Sequence, residues 1–249
     1  MGAHVLLYPK VAAGLCAADV DGAALVLADL DGCLISERRA FPDTAAFVAG
    51  CGARLWIVSN NATHTAAELS GALAQIGVPV PAGRILLAGE QTLLHLAHLL
   101  PGAGLAMYAS DSLRDRAASL GLRTDTAEPD HVLLCRDMSF AIPQIEEVTR
   151  HLARGAALWV SNTDLSHPGL DGQPVPETGA LLAALRAVAP DLTFRCLGKP
   201  HTHMVAQVLK VAGARAADAV FIGDNAETDG KFAAAAGIPF IHLRRGPAA

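Results

Sequence analysis

Aromatic residues are scarce in this chain: two tryptophans, two tyrosines and seven phenylalanines in 249 positions. The apolar fraction is nonetheless 52%, carried by Ala, Leu, Val and Ile. That composition suits strands buried on both faces of a sheet better than a β-sandwich. No run of about 18 apolar residues occurs, which excludes a membrane-spanning helix. The N-terminal "MGAHVLLYPK" has no basic segment ahead of its apolar stretch, so no secretory signal peptide is expected. Cys-x-x-Cys spacing is absent. Cys16, Cys33, Cys51, Cys135 and Cys196 are odd in number and scattered, which points to reduced thiols in a cytoplasmic protein and away from zinc. Positive charge is also short. Lys and Arg total 19 against 24 Asp and Glu, a net charge of −5, so there is no electrostatic footprint for nucleic acid. No basic amphipathic helix suggests a membrane surface. No Gly-x-Gly-x-x-Gly follows the first strand, which disfavours a dinucleotide site. Internal repeats and Ser/Gly-rich linkers are missing as well.

Short apolar runs alternate with longer helical patterns, the signature of βαβ units around a parallel sheet. Strands are expected at 24–29, 54–60, 131–135, 157–162, 192–198, 219–224 and 239–243. Helices are expected at 65–77, 143–155 and 203–213, several ending in Gly, the usual residue just past a helix C-terminus.

The pattern Asp-x-Asp-Gly occurs twice, at Asp19-Val20-Asp21-Gly22 and at Asp29-Leu30-Asp31-Gly32. Open α/β sheets bind ligands beyond the carboxyl ends of their strands. Asp29 closes the apolar run "ALVLA", whereas Asp19 precedes that strand and follows a weaker one. The second copy is therefore the candidate site and the first a solvated turn.

Three further stretches end apolar runs with chemistry-bearing groups: Ser59-Asn60-Asn61, Lys199, and Asp224 with Asp229 five residues on. Each alone has a plain reading, as a helix cap, a surface charge or a turn. Together they would bring carboxylates, a hydroxyl, an amide and a lysine to one pocket. Magnesium takes oxygen ligands through one or two carboxylates plus substrate phosphate. A lysine and polar groups around Ser59 could hold the remaining phosphoryl oxygens.

Asp29-x-Asp31-Gly, Ser59-Asn60-Asn61, Gly198-Lys199-Pro200 and Gly223-Asp224-Asn225-x-x-Thr228-Asp229 resemble, in type and order, the four motifs of the haloacid dehalogenase superfamily. The closer resemblance is to its branch of NagD-like sugar phosphatases, p-nitrophenyl phosphatases and pyridoxal phosphate phosphatases. It runs over nearly the whole chain from about Ala24. It implies an α/β fold, a Rossmann-like parallel-sheet core with an inserted α/β cap domain. It also implies a magnesium-dependent phosphomonoesterase acting on a small phosphorylated metabolite. Asp29 would be the nucleophile, passing through an aspartyl-phosphate, and Asp31 the general acid and base. Ser59, Asn60 and Lys199 would hold the phosphoryl group. The Asp29 and Asp224 carboxylates and the Asp31 backbone carbonyl would bind Mg2+. Asn225 and Asp229 would stand behind those ligands or, for Asp229, on the metal side. Departures from the pattern are Cys33 after the first motif, where Thr or Val is common, and Gly230 and Ala233 after the last.

About 140 residues separate Ser59 from Lys199, far more than one βα unit needs. The resemblance places the cap there, at 81–180, with 1–80 and 181–249 forming the core. It also places 159–185 where the chain leaves the cap, and allows a homodimer through the cap. In the loop after the 131–135 strand, Arg136 and Asp137 could select substrate, Arg136 meeting a second anionic group. The loop could equally be an ordinary turn, and both readings stand. Where pyridoxal phosphate phosphatases carry a histidine in this loop, the chain has Asp137, so pyridoxal phosphate is a less attractive substrate. His201 and His203 are read as opening a helix, His64 as a helix-start residue that could also approach the substrate, and no role is assigned to His167 beyond a place that could face the hinge. A phosphotransferase or mutase of the same superfamily, or a non-catalytic relative, would share these motifs; a signalling receiver would be half this length.

Overall fold

The computed structural model describes residues 10–124, 126–169 and 173–245. Most of the N-terminal stretch read for a leader lies outside them, as do residues 170–172 of the 159–185 segment. The described chain opens with β1 (Lys10–Ala12), β2 (Leu25–Ala28), β3 (Ile35–Ser36), β4 (Arg39–Ala40), α1 (Thr44–Cys51) and β5 (Leu55–Ser59). It continues through α2 (Ala66–Gln75), β6 (Ile85–Leu87), α3 (Ala88–Leu99), β7 (Leu105–Tyr108), α4 (Asp111–Ser119) and β8 (His131–Leu134). Then come α5 (Ile142–Ala153), β9 (Ala157–Val160), β10 (Ser166–Pro168), β11 (Pro174–Pro176), α6 (Thr178–Val188) and β12 (Phe194–Cys196). The last elements are α7 (His203–Ala212), β13 (Ala219–Gly223), α8 (Lys231–Ala236) and β14 (Phe240–Leu243).

These elements form two compact units. The first takes the described parts of Met1–Ser59, Ser70–Ile85 and Lys199–Ala249; the second takes Asn60–Leu69 and Leu86–Gly198. The second unit overlaps the expected insert at 81–180, and it carries α6 and β12 as well.

The first unit is built on a six-stranded sheet of order β1-β14-β13-β2-β5-β6. The pairs β1/β14, β14/β13, β13/β2 and β2/β5 are parallel. Every residue of β2 and β13 is buried, which is why these strands read as unbroken apolar runs rather than alternating ones. Helix α7 buries Met204, Val205 and Val208 on one face and stops at Gly213, whose φ of 62° is the left-handed helix stop. The second unit has its own four-stranded sheet, β12-β9-β8-β7, parallel throughout. Its two faces are packed by separate apolar clusters, one around Leu93, Leu113 and Leu133, the other around Val132, Val148 and Leu182.

All seven expected strands are present, with ends within two residues of those expected. Strands β1, β3, β4, β6, β7, β10 and β11 were not foreseen. None of these exceeds four residues, and β6 runs directly into α3. Helices α1, α3, α4, α6 and α8 were likewise unassigned. No helix among the described residues is long and apolar enough to cross a membrane.

Phe232 is fully buried, edge-on to Phe221 with ring centroids 5.2 Å apart. Phe232→Ala should cost about 3–5 kcal/mol by urea unfolding. Val211→Ala, at a 73% exposed site, should stay within about 0.5 kcal/mol of the wild type.

Candidate active site

Strands β13, β2 and β5 are parallel neighbours, so their carboxyl ends lie side by side. Asp29 is the first residue past β2, and its amide still donates to the Ile222 carbonyl at 2.9 Å. Ser59 is the last residue of β5, and Asp224 follows Gly223 at the end of β13. Lys199, from the opposite end of the sequence, joins them. Its Nζ donates to Asp29 Oδ1 at 2.6 Å and to Asp229 Oδ1 at 2.7 Å, and it stands 5.4 Å from the centroid of the Phe221 ring. Lys199 is 2% exposed and Asp229 0%, so bulk water screens these contacts little. Burial alone would lower the lysine's pKa. The Asp229 and Asp29 carboxylates outweigh it and hold the ammonium well above its usual value.

Asp229 owes its position to the turn before it. Asn225 Oδ1 accepts from the amides of Glu227 and Thr228, capping the Ala226–Gly230 turn. The Asn225 amide donates to Asp229 Oδ2 at 3.2 Å. Two glycines make room for the acids. A Cβ on Gly223 would collide with the Asp229 carboxylate, and one on Gly32 with that of Asp224; Gly32 also sits at φ +79°.

Asp29, Asp224 and Asp229 each offer a carboxylate oxygen, all within 4.8 Å of one another. Three carboxylates face one ammonium. Burial first, then Asp29 and Asp229, raise the Asp224 pKa; burial also raises that of Asp229, against the pull of Lys199. All-oxygen donors with uncompensated negative charge suit a hard divalent cation, and the cluster fits one.

Asp31 is half-buried two residues on, its backbone bridged to Ile35. Asn60 falls in the second unit. There its Nδ2 donates to Asp164 Oδ2 at 2.9 Å, and its carbonyl accepts from Asn162 Nδ2 at 2.7 Å. Arg136 and Asp137 also belong to that unit. Arg136 Nε donates to the Pro176 carbonyl at 2.9 Å and lies 3.3 Å from Glu177 Oε1. Asp137 Oδ1 accepts from the amide and hydroxyl of Ser139, the geometry of a turn, while Oδ2 lies 3.4 Å from Arg114. The first Asp-x-Asp-Gly copy is elsewhere in character. Asp19 is exposed in the short 3₁₀ turn Ala17–Val20 and paired with Lys10 at 2.6 Å. The partners Asn162 and Asp164, and the close approaches of Gly32 and Gly223, carried no local signal in the sequence.

The family model for haloacid dehalogenase-like hydrolases matches residues 23–237. The chain belongs to this family. A D-glycerol 3-phosphate phosphatase of Mycobacterium tuberculosis is 29% identical over 227 residues, which are 89% of this chain and 63% of that protein. The chain thus spans less than two thirds of that relative's length. The ribonucleotide monophosphatase NagD of Escherichia coli K12 is 25% identical over 207 residues, 82% of this chain and 80% of NagD. Among solved structures, the glycerol phosphate phosphatase of M. tuberculosis in complex with magnesium superposes with a TM-score of 0.82. It is 26% identical, with 92% of this chain and 70% of that one covered. The fold is thus the parallel-sheet α/β architecture that the motifs implied, and the chain is similar to NagD-like phosphatases.

A carboxylate with a raised folded pKa binds its proton more tightly in the native state, so it lowers stability once pH exceeds the unfolded value. Asp224 is raised, and Asp224→Asn should therefore raise the melting temperature of the metal-free protein at pH 7.5. The gain should vanish below about pH 4, where both states are protonated. Added magnesium should stabilise the wild type and not this variant, as read by thermal melts across pH.

Proposed function

We propose that this hydrolase is a magnesium-dependent phosphomonoesterase that releases phosphate from a small phosphorylated metabolite through an aspartyl-phosphate. The buried Lys199 ammonium held between Asp29 and Asp229, beside the third carboxylate of Asp224, is the observation that carries this reading.

Asp29 attacks phosphorus with a carboxylate oxygen, forming an acyl phosphate as the ester oxygen leaves. Such covalent catalysis divides one difficult displacement into two easier ones. Asp31 donates the proton that the departing alcohol requires, then takes one from the water that hydrolyses the acyl phosphate. Lys199 supplies positive charge where the phosphoryl oxygens gather it, worth several kcal/mol in a dry site. Ser59 and Asn60 contribute further donors to the phosphoryl group. The cation would be held by Asp29, Asp224 and the Asp31 backbone carbonyl, with Asp229 as a further carboxylate of the cluster. When bound, it supplies charge neutralisation and Lewis acidity toward the phosphoryl oxygens.

The second unit serves as the inserted domain that chooses among esters, because the groups around Asp29 recognise chiefly phosphate. Relatives named for glycerol 3-phosphate and for ribonucleotide monophosphates support a small phosphate ester and leave its alcohol to that domain. Five free thiols support a cytoplasmic setting.

With magnesium, the protein should hydrolyse p-nitrophenyl phosphate and members of a panel of glycerol, sugar and nucleoside monophosphates. EDTA should abolish phosphate release and excess magnesium restore it. Asp29→Asn should lower kcat by at least about a thousandfold with an unchanged circular dichroism spectrum. Activity retained in that variant would remove Asp29 as the nucleophile.

A further inference from the structure

The loop that carries Asp29 and Asp31 turns back sharply and is wound on itself. Gly32 N donates to the Ile35 carbonyl at 2.8 Å, while the amides of Leu34 and Ile35 donate to the Leu30 carbonyl at 2.8 and 3.0 Å. The Leu34 carbonyl is gripped by the Thr44 hydroxyl at 2.6 Å. The Cys33 carbonyl, two residues past Asp31, is gripped from a remote part of the chain. Arg245, just after β14, donates to it from Nη2 at 2.8 Å. The same guanidinium makes a fork to Asp43, Nη1 to Oδ2 and Nη2 to Oδ1, both at 3.0 Å. It lies 3.9 Å over the centroid of the Phe41 ring. Asp43 is itself anchored, its Oδ2 accepting from the Leu15 amide at 2.7 Å. Against the effect of burial, Arg245 and that amide hold the Asp43 carboxyl below its usual value.

Nothing in the chemistry of phosphate release needs an ion pair here, and a stacked, bidentate guanidinium is a specific arrangement that lysine does not reproduce. Its geometric consequence falls on the turn. Gly32, at φ +79°, joins Asp31 to Cys33, and a general acid must stay within hydrogen-bond reach of the departing oxygen. We propose that Arg245 is a positioning residue for Asp31: by holding the Cys33 carbonyl, with Asp43 and Phe41 as its own supports, it fixes the turn that aims the acid at the leaving group. This rests on the phosphomonoesterase reading and adds to it a residue 214 positions from the acid it aims.

The test uses leaving groups. An alkyl alcohol leaves only with a proton, whereas p-nitrophenolate leaves without one. With saturating magnesium, Arg245→Ala should lower kcat on an alkyl phosphate that the wild type turns over, glycerol 3-phosphate first, by about 10- to 100-fold. This is part of the full worth of a general acid. On p-nitrophenyl phosphate the rate of the first, nitrophenolate-releasing turnover, which precedes the water step that Asp31 also serves, should fall by less than about threefold. Arg245→Lys, which keeps the charge without the fork, should fall between and guards against a misfolded alanine variant. Hydrogen exchange supplies a readout free of turnover. In both variants the amides of residues 30–36 should exchange faster, with β8 and α5 unchanged. Equal losses on the two esters, or no loss on either, would overturn the proposal, as would unaltered exchange at 30–36. A wild type that hydrolyses neither ester would sink the phosphatase reading instead, and exchange alone would then decide whether Arg245 holds the turn.

Discussion

One buried ion pair network organises the first unit: the Lys199 ammonium between Asp29 and Asp229. Taking such charges out of water is expensive, and their mutual attraction offsets that only when geometry is tight and the remaining lone pairs are used. Both conditions hold. Lys199 reaches two carboxylates within 2.7 Å, and the Asn225 amide takes a further Asp229 oxygen. Removing one partner would strand a buried charge at a penalty of about 3–5 kcal/mol. The network is still short of positive charge, because Asp224 stands in the same cluster. That imbalance suits the cluster to a hard divalent cation.

The sheet makes such crowding tolerable. With β2 and β13 buried along their whole length and joined in parallel register from Ala219/Leu25 to Ile222/Ala28, the strand ends cannot spread to relieve the repulsion. The close approaches then follow from residue size. Gly32 leaves space for Asp224, and Gly223 for Asp229. On the other side of the turn, the Cys33 carbonyl is tied to Arg245 and thereby to Asp43.

Much of this was legible in the sequence, and the reason is local. Asp29, Ser59 and Asp224 are each the polar residue that ends an apolar run, and a run buried on both faces is readable without its neighbours. Asp19 could be set aside on the same ground, and it is exposed beside Lys10. The length of chain between Ser59 and Lys199 reads as an insert, and Leu86–Gly198 falls within the second compact unit. Strand β6 escaped because it runs directly into α3 with no break between them. The second unit extends to Gly198 because β12 pairs with β9, and no residue of β12 states which sheet it will join.

Sequence by itself determined the principal strands, the chemistry available and its placement at strand ends, since these depend on neighbouring residues and their apolar pattern. Tertiary structure alone decided which charges meet. Lys199 is 170 residues from Asp29, and Arg245 is 202 from Asp43. A side chain's partner is set by strand order and register, which no short stretch encodes. The close approach of Asp229 to both Lys199 and the Asp29–Asp224 pair was settled in the same way, by the Asn225 turn folding that carboxylate back over Gly223.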